Sequence, residues 1–305
     1  MMAIRIHRFG GPDVLAIEDI PDPRPQEGEI VIAVEAASVN PVDYKIRQGG
    51  FLPEDKLPMT LGRDVSGTIE TLGPGVRGLR QGDAVYVMLS PDHGGYAERA
   101  LAAGPDVAPR PARLDAAAAA AVPLAGLTAW QGLFDHGGLR QGQRVLIHGA
   151  AGGVGHLAVQ FARARGAEVF ATASARDLDF VHGLGAATVI DYKAQRFEDV
   201  AHNIDVVLDL VAGETQTRSW SVLKPGGIIV SSLQKPDQEA AAKHRARGTN
   251  FRAHPSGTQL VEIGRLIDAG EVRPEVSATL LLAQAAEAQR RLEHDHPRGK
   301  IVLLV

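Results

Sequence analysis

The chain has 305 residues, 32 Lys+Arg against 36 Asp+Glu, a net charge of −4 and no cysteine. At roughly 150 residues per domain the length predicts two domains, and charge scattered without long blocks argues against a nucleic-acid partner or a polybasic membrane patch. The lack of cysteine excludes disulfides, thiolate zinc sites, iron–sulfur clusters and cysteine nucleophiles.

The opening MMAIRIHRFGG lacks the unbroken apolar core of a secretory signal, so a cytoplasmic location is expected. Residues 1 to about 115 read as short strands cut by Pro and Gly: Ile30–Ala36, Val65–Leu72, Ala84–Leu89 and Tyr96–Ala100. Turns fall at Gly73-Pro74-Gly75 and Gln81-Gly82-Asp83, and long helices are scarce. The uncharged run Ala116–Phe134 reaches membrane length but is mostly Ala and carries Pro123, Gly126, Gln131 and Gly132. Alanine is barely apolar enough to insert. The run reads as a helix capped by Asp115, broken near Pro123 and resumed.

From Arg144 the rhythm becomes β-branched runs alternating with helical stretches, the pattern of a parallel sheet with crossover helices. The strands are Arg144–His148, Glu168–Ser174, Thr188–Tyr192, Asp205–Val211 and Gly227–Leu233. In the first crossover Val154, Leu157, Ala158, Phe161 and Ala164 share a helical stripe, with His156, Gln160 and Arg163 facing away. A helix Gln259–Ala269, a Pro-containing strand region, an Ala-rich helix Ala283–Leu292 and a strand Lys300–Val305 complete the chain. The fold class is α/β, a mostly β lobe beside a doubly wound parallel sheet.

The sharpest local feature is His148-Gly149-Ala150-Ala151-Gly152-Gly153-Val154-Gly155, after a strand and opening an amphipathic helix. A diphosphate needs close backbone N–H donors and a favourable dipole, and a helix N-terminus stripped of side chains supplies both. A tight strand-to-helix turn, or an adenosylmethionine site, uses the same glycines. The next strand discriminates. Where NAD-binding folds end that strand in Asp or Glu, this chain has Phe170-Ala171-Thr172-Ala173-Ser174-Ala175-Arg176 and no carboxylate until Asp177. Ser174 and Arg176 suit a 2′-phosphate, which favours NADPH over NADH. A solvated charge at a helix start is the other reading of Arg176.

These stretches, with Ser38-Val39-Asn40-Pro41-Val42-Asp43-Tyr44-Lys45-Ile46-Arg47-Gln48-Gly49, Leu61-Gly62-Arg63-Asp64-Val65-Ser66-Gly67, Gly94-Gly95-Tyr96-Ala97-Glu98, Pro123-Leu124-Ala125-Gly126-Leu127-Thr128-Ala129, Ile190-Asp191-Tyr192 and Arg298-Gly299-Lys300-Ile301-Val302-Leu303, carry a family resemblance. The chain resembles the zinc-free, zeta-crystallin-like quinone oxidoreductase branch of the medium-chain dehydrogenase/reductase superfamily along nearly its whole length. The resemblance implies a GroES-like substrate lobe, 1–121 completed by 256–305, a Rossmann NADP-binding domain at 122–255, a cleft between them and a homodimer. Zinc-dependent relatives have Gly-His-Glu where this chain has Gly62-Arg63-Asp64, so no metal is expected. Without a metal to form an alkoxide, hydride transfer favours an acceptor whose anion is already delocalised, a quinone or an α,β-unsaturated carbonyl.

By the same resemblance Asn40 and Thr128 lie beside the nicotinamide, against the plainer reading of turn or cap polar groups. Tyr44 is a candidate proton donor, with half-buried packing or solvent water as the alternatives. Lys45 and Arg47 attract an anion, or Arg47 pairs with Asp64. The expected cofactor set is Gly149, Ala150, Ala151, Gly152, Gly153 and Val154 for the diphosphate, with Ser174, Arg176 and Tyr192 for specificity and Lys193 adding charge. Val211, Ser231, Ser232 and Leu233 sit at strand ends, where such folds bind ligands. Lys300 reaches the cofactor phosphates or lies on the surface. His294-Asp295-His296 has metal-like spacing without a third ligand and reads as exposed histidines near a helix end. Enoyl-thioester reduction and non-catalytic NADPH binding, as a crystallin or a sensor, are the competing functions.

Overall fold

The computed structural model describes residues 1–305 and divides into two compact units. The first comprises Met1–Leu124, His254–Asp268 and Pro274–Val305, the second Ala125–Ala253 and Ala269–Arg273. The sequence reading set its junctions at 121/122 and 255/256 and had the short segment 269–273 in the first lobe. That segment belongs to the second unit because the Gln160 amide exchanges two 2.9 Å hydrogen bonds with the backbone of Arg273.

In the first unit the long strand Glu29–Val39 organises a seven-stranded sheet. One side pairs antiparallel with Asp64–Leu72, followed by Ala84–Met88 and Ala108–Pro109. On the other side Glu29–Ala33 pairs with Arg99–Ala103, while Ala36–Val39 pairs with the C-terminal strand Lys300–Leu304, itself flanked by Val276–Leu281. The tail therefore completes the sheet begun near residue 29. A second, three-stranded sheet joins Ala16–Asp19, Met2–Ile6 and Met59–Thr60, none of which stood out in the sequence. Alternation places Ile30, Ile32, Val65, Ile69, Val85, Val87, Ile301 and Leu303 in one core. Each such side chain contributes about 1.5–3 kcal/mol on burial.

The strand expected at Tyr96–Ala100 starts at Arg99. Its first residues do other work: the Tyr96 amide donates to Leu61 O at 2.9 Å, and Ala97 makes a lone antiparallel bridge to Ala3. Asp115 does cap the helix Ala116–Ala120, accepting from the Ala118 amide at 2.8 Å. After the break at Pro123 the helix Pro123–Trp130 runs into a widened turn over Gln131–His136, where the Gly137 amide reaches back five residues to Gly132 O. No helix is long and apolar enough to cross a membrane.

The second unit is a six-stranded parallel sheet in the order Thr188–Asp191, Glu168–Ala173, Arg144–Ile147, Ile204–Asp209, Leu223–Ser231, Arg247–Asn250. Counted along the chain this is 3-2-1-4-5-6, the doubly wound order whose reversal lies between strands one and four. The sixth strand, Arg247–Asn250, has half-buried and exposed residues only, so no apolar run marked it. The helix Gly155–Ala164 departs from the expected stripe: His156 and Gln160 are buried, while Val154 and Ala164 are only half-buried. Gln160 is held by its bonds to Arg273, and His156 Nδ1 lies 2.9 Å from Gly152 O, so both polar side chains find partners under cover.

Candidate functional site

Two polar centres emerge, one in each unit. In the second unit the first strand ends at Ile147 and the chain turns through Gly149, at φ +70°, into the helix that starts at Gly155. A Cβ on Gly155 would stand 2.2 Å from Gly149 O, so only glycine lets turn and helix approach this closely. The Ala150 amide is spent on Thr172 O and the Gly152 amide on Gly149 O, each at 3.1 Å. Those of Gly153, Val154 and Gly155 donate to no carbonyl and are the orphan donors of a helix start. The Gly149 and Ala151 amides likewise donate to no carbonyl, so of the expected cradle only the amides of Ala150 and Gly152 are already spent. Val211 borders it, its Cγ2 3.5 Å from where a Gly149 Cβ would stand.

The neighbouring strands end in the expected specificity residues, with one revision. Ala173 pairs with Asp191, which sets Ser174 and Arg176 beside Tyr192. Arg176 is 62% and Tyr192 55% exposed, and Lys193 Nζ lies 5.9 Å from the Tyr192 ring centre. However, the short turn Ala175–Asp177 swings a carboxylate back onto the strand end. Ser174 Oγ donates to Asp177 Oδ2 at 2.6 Å, and Arg176 Nε lies 3.3 Å from the same oxygen. The Ser174 hydroxyl expected for the phosphate is therefore already engaged, and Asp177, nearly buried, holds the turn together.

Strands four and five end two residues earlier than expected, at Asp209 and Ser231. Val211 and Leu233 lie in the following loops and are about half exposed, an apolar pair at the sheet's ligand end. Ser231 is fully buried and cannot itself face a ligand. Its Oγ donates to Asp209 Oδ2 at 2.9 Å and accepts from the Leu233 and Gln234 amides. Asp209 also accepts from the Val211 and Ala212 amides and from Gln216. This buried carboxylate, absent from the sequence reading, shapes both loops; its signal was an acid closing the apolar run Ile204–Leu208. His148 is also buried, bonded to Thr172 and Ser219, and burial pushes its imidazole down to about 4, so it stays neutral. Thr128 is buried in the helix Pro123–Trp130.

In the first unit Asn40 caps the helix Pro41–Arg47 at the end of the long strand. It is 1% exposed, with Nδ2 donating to Asp64 Oδ2 at 2.8 Å and Oδ1 accepting from Lys300. Lys300 also donates to Val39 O at 3.0 Å and lies 3.8 Å from Asp64. It is 3% exposed, so both expectations for it fail: it lies neither at the surface nor free to reach a phosphate. The tail strand, pairing with Ala36–Val39, carries it inward. Asp64 takes further bonds from Ser38 Oγ and the Leu124 amide, each 2.8 Å.

Arg47 does not pair with Asp64. It is wholly buried and pairs with Glu293 from the helix Ala285–His294, which leaves it unable to attract an anion from solution. Tyr44 is half-buried on the same helix, and burial, then Glu293, raises its phenol above the usual range.

Asp43 accepts from the Asn40 amide at 2.7 Å and Tyr96 Oη at 2.8 Å, yet burial pushes its carboxyl up to about 6. With an unfolded value near ~3.9, folding raises its proton affinity. This group's contribution is fully present below about pH 4 and is lost as pH rises through about 6. Relative to wild type, Asp43→Asn is therefore expected to gain stability as pH rises from about 4 to about 7, by up to about 3 kcal/mol in all, and no further above that. Parallel melting curves check this; a difference between the two proteins that does not change with pH would contradict it.

The donor set does not fit zinc. The chain has no cysteine, and Arg63, at the position where zinc relatives carry His, is a cation whose Nε donates to Leu89 O at 2.9 Å. Asp64 already has three donors and an ammonium around it. The second unit does fit a dinucleotide: three orphan amides at a helix start, an exposed cation and phenol on the adjacent strand ends, and two exposed apolar side chains on the other flank.

Family models agree with both halves. Residues 26–112 match the alcohol dehydrogenase GroES-like domain, and residues 184–303 match a model described as zinc-binding dehydrogenase. Quinone oxidoreductase from Rattus norvegicus is 33% identical over 325 residues, covering 100% of this chain and 98% of its own. The mitochondrial NAD(P)H oxidoreductase RTN4IP1 of Danio rerio is 34% identical, covering 91% and 84%. Among solved structures, quinone oxidoreductase from Coxiella burnetii superposes with TM-score 0.92 at 38% identity, over 100% of this chain and 99% of that one. Quinone oxidoreductase of Escherichia coli complexed with NADPH superposes at 0.89 and 27% identity, over the whole of both chains. A GroES-like unit, a doubly wound sheet with a glycine turn at its switch point and these full-length matches place the chain in the medium-chain dehydrogenase/reductase superfamily, in its quinone oxidoreductase branch, as an NAD(P)H oxidoreductase.

Proposed function

We propose that this oxidoreductase uses NADPH to reduce a quinone or an α,β-unsaturated carbonyl without a metal ion. The observation that carries the cofactor choice is the exposed Arg176 in the turn after the second strand, with the exposed Tyr192 following the paired third strand and the one neighbouring acid, Asp177, buried beneath the guanidinium it anchors. A guanidinium in that place attracts a dianionic 2′-phosphate, and a phenol adds a hydrogen bond. The amides of Gly153, Val154 and Gly155 hold the diphosphate, and Val211 and Leu233 cover apolar surface of the dinucleotide. When bound, the reduced nicotinamide supplies a hydride, two electrons and one proton, and the acceptor takes one more proton from the protein or solvent.

The chain's own residues define which acceptors suit it. Because these side chains do not form a ligand set for a Lewis-acid metal, the anion left after hydride addition is stabilised by its own delocalisation and by hydrogen bonds. Quinones and enones meet that condition and simple ketones do not. Tyr44, held protonated, is the proposed proton donor. Asn40 and Thr128 are the proposed polar groups nearest the reacting ring, Asn40 being fixed in one orientation by Lys300 and Asp64. A homodimer in the cytoplasm belongs to the same proposal.

Loss of NADPH absorbance is the test, with a 1,2-quinone, a small enone and an enoyl thioester as separate acceptors. Turnover with the quinone or the enone is expected. Turnover with the thioester alone would make the chain an enoyl-thioester reductase, and tight NADPH binding without turnover would make it a sensor.

A further inference from the structure

The second unit has a concave surface at the opposite end of its sheet from the glycine turn. A recess of about 410 Å³ opens where strands one, four, five and six begin, lined by Asp135, His136, Arg140, Asp205, Lys224 and Arg247 with glycines between them. Its charges are unevenly satisfied. Asp205 is met by Lys224, by Gln143 Nε2 at 3.1 Å and by the Arg144 amide at 2.9 Å, so its negative charge is already surrounded. Asp135 has an interaction of its own. The guanidinia of Arg140 and Arg247 are exposed, and neither has a carboxylate or carbonyl partner. His136 lies against the Phe251 ring, centres 4.6 Å apart, which fixes the imidazole at the rim.

A hollow with two unpartnered guanidinia and a neutralised acid is shaped for an oxyanion, because each guanidinium offers a planar fork of donors that matches phosphate and carboxylate oxygens. We propose that this recess, at the amino ends of the parallel strands, binds a small phosphate- or carboxylate-bearing molecule between Arg140 and Arg247, remote from the glycine turn. The anion bridges the two forks, and Lys224, anchored by Asp205, adds to the field without being needed as a ligand. Held largely by charge at a partly open surface, the complex weakens as salt rises.

Calorimetric titration at low ionic strength tests this with two probes, inorganic phosphate and succinate, which separate a phosphate ligand from a dicarboxylate. Each is titrated into wild type, the double variant Arg140→Ala/Arg247→Ala and the single variant Arg176→Ala. Saturable binding of either probe is expected, at least about tenfold weaker in the double variant and unchanged in Arg176→Ala, which separates this recess from the cofactor end. Melting curves confirm that the surface substitutions leave the fold intact. Three outcomes overturn the proposal: no binding, binding indifferent to the double substitution, or an equal response to chloride at matched ionic strength, which would mark an adventitious ion only.

Discussion

Lys300→Met is expected to destabilise the protein by about 3–5 kcal/mol, because it strips a buried carboxylate of the ammonium paired with it. The ammonium bonds Val39 O and Asn40 Oδ1 and stands 3.8 Å from Asp64, whose side chain is wholly buried. Burial lowers the lysine's proton affinity, and the charges of Asp64 and Asp43 oppose that shift. Removing it leaves Asp64 hydrogen-bonded only to neutral donors, with no ion-pair partner, and frees one end of the Asn40 amide. For a chain of this size the melting temperature should fall by roughly 10 °C. The acid and the lysine must also be coupled: Asp64→Asn should cost at least about 1 kcal/mol less in the Lys300→Met background than in wild type. Additive effects in that double-mutant cycle would show that the two residues act independently and would contradict the account.

The doubly wound sheet was readable because its first, second, fourth and fifth strands carry buried apolar runs rich in β-branched residues between helix signals, and its glycine turn because few residues can form it. The boundaries ran two residues long at Asp209 and Ser231, where the side chains stop pairing strands and begin fastening loops. The long-range partners of single polar residues were not legible. Lys300 meets Asn40 across 260 positions and Arg47 meets Glu293 across 246, separations that no local pattern encodes. The pairing of the tail strand with Ala36–Val39 brings the first pair together, and the packing of two helices brings the second. Asp177 was misread for a local reason: counted along the strand it lies beyond the end, but a single 3-10 turn folds it back to Ser174.

The second large effect concerns cofactor choice. Arg176 stands 62% exposed in the turn after the second strand, with Nε 3.3 Å from Asp177 Oδ2. A charge-assisted bond to a 2′-phosphate contributes about 1.5–3 kcal/mol, equivalent to about 10–100-fold in affinity. NADH has a hydroxyl in that place and gains little from the guanidinium. Arg176→Ala should therefore weaken NADPH by one to two orders of magnitude while changing NADH binding by less than about threefold.

Fluorescence titration of NADPH and NADH into wild type and Arg176→Ala measures this selectivity directly. Selective loss of NADPH affinity is the predicted result. Equal loss for both dinucleotides, or wild-type affinity for NADPH in the variant, would contradict the claim that this strand end reads the 2′-phosphate.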